Sequence, residues 1–82
     1  MNKQIIESNI SEAREQLQEI ERRIHTSDSL TEGQLLVMLQ HAYHHLNFAW
    51  NTRKVTDKRY ANMTANDFNQ WGHGKPVLIF HR

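Results

Sequence analysis

Apolar residues recur in the first third of the chain at Ile6, Ile10, Ala13, Leu17, Ile20 and Ile24, at spacings of 4, 3, 4, 3 and 4. Alternating steps of three and four keep side chains on one face of an α-helix, so the pattern predicts a helix over 2–26. Neither Gly nor Pro interrupts it, and Glu7, Glu12, Arg14, Glu15, Glu19 and Arg22 fall off the seam. A helix with so narrow a seam does not hold its shape alone and has to pack on something.

A polar break, His25 to Ser29, precedes a second helical pattern. Thr31 and Gln34 have the spacing of a capping box, Leu30 and Leu35 that of a hydrophobic staple, and Glu32 suits the positive end of the helix dipole. The helix is expected over 32–54, ending where Arg53 and Lys54 complement its C-terminus. So short a link implies an antiparallel hairpin. Leu35, Leu39, Ala42, Leu46 and Ala49 repeat the 4-3-4-3 seam, and Ile10, Leu17, Ile20, Leu39, Leu46 and Trp50 are the expected core. Stepping 100° per residue puts Val37, His41, His44 and Phe48 together in an opposite sector. A surface helix has no use for Val and Phe there, so this second face predicts an interface with another subunit.

Beyond Lys54 the periodicity fades, and 55–62 reads as a loop or a ragged helix end. Thr64 has the position of an N-cap for a short helix over 65–71 that carries Phe68 and Trp71 at i,i+3, with Gly72 placed to stop it. Tyr60, Met63, Phe68 and Trp71 suit a satellite core over the open end of the hairpin. The tail, 72–82, contains the β-prone run Val77 to Phe80, which suits an edge strand, a docking segment or an element exchanged between protomers. The fold class expected is all-α, a single domain over 1–82. It consists of a long antiparallel hairpin, a short third helix and an extended C-terminal tail. Two helices of this length share one seam and leave most of each wet, so a homodimer with a four-helix-bundle-like core is expected.

Composition narrows the functional classes. The chain has 82 residues, 38% hydrophobic and 23% charged, a net charge of +1 and no cysteine. Disulfide staples, thiol catalysis and Cys-based zinc sites are therefore excluded. The longest apolar run, Leu35 to Leu39, is too short to span a membrane or serve as a secretory signal. The small net charge gives no general affinity for nucleic acid, and a cytoplasmic protein is expected.

Three histidines, His41, His44 and His45, sit on the second helix, and the i,i+4 pair His41 and His45 has the spacing of metal ligands. Ala42 stands where the familiar helical zinc motif has Glu, so the expected reading is a semi-polar interface face with no bound metal. Arg53, Lys54, Lys58 and Arg59, with Trp50 and Trp71 nearby in sequence, could hold an anion or a nucleotide. Helix C-termini attract cations without any ligand. No nucleophile–base motif or phosphate-binding loop is present, so no catalytic residue, enzyme activity or cofactor is expected. The reading that follows is a small homo-oligomeric helical interaction or regulatory protein that binds a macromolecular partner. The alternatives are a small-ligand, anion or nucleotide binder with a pocket at the subunit interface, and a histidine-dependent metal-binding protein.

Overall fold

Asn2 begins the first helix and also fastens it to the end of the second, which fixes the hairpin as antiparallel. In a computed structural model, which describes residues 1–26 and 29–73, α1 spans Lys3–His25 and α2 spans Glu32–Asn51. The Asn2 side chain accepts from the Ile5 amide at 3.3 Å and donates to the Val55 carbonyl at 2.9 Å, while its own amide donates to the Arg53 carbonyl at 2.6 Å. α3, Asp57–Ala61, and α4, Ala65–Gly72, follow, and no strand occurs among the described residues. The run Val77 to Phe80 lies outside the described residues, as do Ser27 and Asp28 in the hairpin link.

Each helix starts on a side chain that accepts from its first-turn amides. Thr31 and Gln34 form the expected reciprocal capping box, and Thr64 with Asp67 forms a second one. Thr56 caps α3 through the Arg59 amide, so a helical turn stands where a loop was expected. α2 stops at Asn51, earlier than the expected 54. The Thr52 amide and hydroxyl both donate to the Phe48 carbonyl, the next amide, of Arg53, turns instead to the Trp50 carbonyl three residues back, and Thr52 is fully buried.

α1 packs along α2, and α4 packs on another side of α2. The buried residues differ from the expected seam. Ile20 is in the core, but Ile10, Leu17, Leu39 and Trp50 are each between 43% and 44% exposed, and Leu46 is half-buried. The hairpin instead buries Ile5, Asn9 and Ala13 on α1 against a strip of α2 that includes Ala42 and Ala49. The physical reason is steric and polar together. Alanines let the two helices approach closely, and Asn9 finds hydrogen-bond partners only inside this contact. The second column of the α1 pattern, Ile10, Leu17 and Ile24, is left outside.

Candidate functional site

Where α2 meets α4, the second face of α2 is covered by its own chain. Phe48 lies under Phe68, with ring centroids 5.3 Å apart, and Tyr60 and Trp71 stand edge-on to it while stacking on each other. His44 packs between Phe48 and Phe68 at 4.8 and 4.9 Å and is 9% exposed. Two of the four residues expected at a subunit interface, His44 and Phe48, are thus buried within the chain. Val37 and His41 remain exposed. The short α4 needs to cover only the C-terminal half of α2, because the apolar sector there is concentrated at His44 and Phe48.

Two asparagines hold α4 in place. Asn47 donates to the Gly72 carbonyl at 2.9 Å and Asn51 to the Trp71 carbonyl at 2.8 Å. Both carbonyls belong to the last turn of α4, whose acceptors have no partners within the helix. Gly72 is required by proximity, since a Cβ there would run into the His44 ring and come within 2.9 Å of Phe48.

An open groove of about 440 Å³ runs beside this junction, lined by Val37, Gln40, His41, His44, His45, Phe68 and His73. The four histidines form two pairs. His44 Nδ1 and His73 Nε2 share a hydrogen bond at 3.1 Å under the aromatic cover. His41 Nε2 and His45 Nε2 face each other at 3.1 Å at the exposed side. Burial, reinforced by the neighbouring imidazoles of His73, His45 and His41, pushes the His44 pKa down to about 4. Burial also lowers His45, with His41 adding to the shift and Glu12 opposing it. Both rings are therefore neutral at pH 7.

A network behind His45 fixes which of its nitrogens carries the proton. The Asn9 amide group donates to the Ile5 carbonyl at 3.1 Å and to the Tyr60 hydroxyl at 3.3 Å. Its oxygen is thereby the acceptor, and His45 Nδ1 donates to it at 3.0 Å. In a neutral imidazole the other nitrogen, Nε2, then holds a lone pair. That lone pair points at His41. The amphipathic pattern gave no sign of Asn9, because it is a polar residue at a core position.

The basic cluster is divided. The Arg53 guanidinium lies 3.7 Å over the Trp50 ring and donates to the Trp50 carbonyl. Arg59 pairs with Asp67 at 2.6 Å and lies over Trp71. Its guanidinium and the Thr64 cap hold the Asp67 carboxyl at a pKa of about 2. Lys54 and Lys58 are exposed. Two of the four cations are thus committed to different partners rather than turned toward a common ligand.

The remaining surface feature is the apolar side of the hairpin. Ile10, Leu17 and Ile24 on α1, and Leu36, Leu39, Tyr43 and Trp50 on α2, are all exposed. Leu17, Leu39, Tyr43 and Leu46 line an apolar groove of about 440 Å³ between the helices. No Asp, Glu, Lys or Arg occurs between Glu32 and Arg53. Among the described residues, no helix is long and apolar enough to cross a membrane, and no three side chains of ligand type gather to hold a metal ion. Compared with known proteins, the chain matches no family model, no curated protein and no solved structure.

Proposed function

We propose that the protein is a helical interaction module whose contact surface is the apolar side of the α1–α2 hairpin and whose occupant is a second copy of the chain. The observation that carries this reading is the stretch of α2 after Glu32, which carries no Asp, Glu, Lys or Arg and leaves Leu36, Leu39, Tyr43 and Trp50 in solvent beside Ile10, Leu17 and Ile24. These side chains present on the order of 700 Å² per chain, close to the roughly 800 Å² per partner that a stable interface buries. Spacings of seven residues on both helices, 10-17-24 and 36-43-50, suit the seam of a four-helix bundle. The α2 half of this face, Leu36, Leu39 and Tyr43, lies in a stretch without formal charge and can meet its own copy across a two-fold axis without bringing like charges together. The dimer expected from sequence is retained in this reading, but its surface moves from His44 and Phe48 to the opposite side of α2. The paired form is the state that would present a broad helical surface to a macromolecular partner.

The test is sedimentation equilibrium at micromolar concentration on the wild type and on Leu39→Glu, which places a charge in the groove without touching the hairpin core. The expected result is twice the 9.8 kDa chain mass for the wild type and the single-chain mass for the variant, with unchanged helical circular dichroism. A wild-type mass of one chain would overturn the reading, as would a dimer indifferent to the substitution.

A further inference from the structure

We infer that His41 and His45 form a binding site for a divalent transition-metal ion, completed by water on its open side. The two Nε2 atoms lie 3.1 Å apart. Two imidazoles bound to one ion at about 2.0–2.1 Å, in tetrahedral or octahedral geometry, have their nitrogens roughly 2.9–3.4 Å apart. The pair therefore has the separation of a chelate with little rearrangement.

Orientation is the second and independent observation. Asn9 accepts the His45 Nδ1 proton at 3.0 Å and is itself held by the Ile5 carbonyl and Tyr60. This outer partner fixes the tautomer with its lone pair outward, the arrangement that supports metal-ligating histidines generally. His41 is exposed and can carry its proton on Nδ1 toward solvent, which frees its Nε2 as the second ligand. Without metal, His41 Nε2 donates to His45 Nε2 instead. Binding replaces one hydrogen bond by two coordinate bonds and moves one proton between the nitrogens of His41.

The second pair has the same 3.1 Å separation but different surroundings. His44 packs against Phe48 and Phe68 and is 9% exposed, and its Nδ1 is so close to Gly72 that a Cβ there would run into it. Two protein ligands with open positions suit the imidazole-binding ions Zn²⁺ and Ni²⁺ in exchangeable form. The site lies on the flank of α2 away from Leu39, so it does not depend on the proposed dimer.

Isothermal titration of the full chain with Zn²⁺ and with Ni²⁺ tests the inference. The expected result is one ion per chain at micromolar affinity, with the imidazole ¹⁵N resonances of His41 and His45 shifting together. His41→Ala, at an exposed position, should weaken binding at least tenfold. His73→Ala, His25→Ala and Leu39→Glu should each bind as the wild type does. Failure to take up either ion at millimolar concentration would overturn the site, and so would uptake that survives His41→Ala or is lost in His73→Ala.

Discussion

The residues that organise this molecule are polar ones at buried positions. Asn9, His44, Asn47 and Thr52 are each 9% exposed or less. Asn9, His44 and Asn47 bond across elements, whereas Thr52 returns its hydroxyl to the Phe48 carbonyl. A buried polar group that loses its partner costs about 1–3 kcal/mol. His44 carries a pH dependence of its own. Its folded pKa of about 4 lies below the ordinary histidine value of 6.5, so the unfolded chain binds more protons between those values. Stability is complete above pH 6.5 and is lost as pH falls toward 4, by about 1–2 kcal/mol after allowance for solvent screening. His73, His45 and His41, which face the ring, deepen the effect by repulsion. Denaturant unfolding across this range, with chelator present, should show the loss. His44→Gln should flatten the slope, and an unchanged slope would show that His44 does not carry it.

At the scale of elements, α4 is an eight-residue helix held by two asparagine bonds, an aromatic cluster and one glycine. A Cβ at Gly72 cannot be accommodated without moving His44 or Phe48, both buried. Gly72→Ala should therefore cost about 1–3 kcal/mol, although alanine is the better helix former. Hydrogen exchange should locate that loss in α4 and the second half of α2, while α1 amides toward its C-terminus change little. A uniform loss of protection would mean that α4 and the hairpin open as one unit. The helices themselves were legible from sequence through their caps. The Thr31–Gln34 box, the Thr64 cap and the position of Gly72 at the end of α4 all follow from local chemistry. α3 was not legible, because five residues carry no periodicity and its cap at Thr56 is a single signal.

For the whole molecule, the small core is the governing fact. Among the described residues, the buried apolar ones within one chain are Ile5, Ala13, Ile20, Ala42, Phe48 and Ala49, three of them alanines. Ile20 and Leu17 belong to one sequence pattern but should respond differently to truncation. Ile20→Ala removes a buried side chain and should cost about 2–5 kcal/mol at any protein concentration. Leu17, 44% exposed in the single chain, should lose about 1 kcal/mol when measured dilute and more where the proposed dimer is populated. Melting temperatures of both variants and the wild type over a hundredfold concentration range would separate the two. A wild-type melting temperature independent of concentration would argue against the dimer.

The amino-acid pattern by itself determined the all-helical class, the hairpin, its direction and the starts of α2 and α4. These depend on interactions within a few residues, which a one-dimensional sequence contains. It did not determine which of the two apolar columns of α1 would face α2. Both columns satisfy the same helical period, and the choice rests on alanine-lined approach and on partners for Asn9 that lie far along the chain. For the same reason the sequence could place His41 and His45 at ligand spacing but not orient them. The orientation comes from Asn9 on α1 and Tyr60 on α3, brought to His45 only when the helices pack. Likewise, His44 and Phe48 looked like a free face until α4 folded over them, a contact between residues 20 or more positions apart. Local hydrogen bonding and periodicity fix elements, whereas long-range packing decides which faces remain for function.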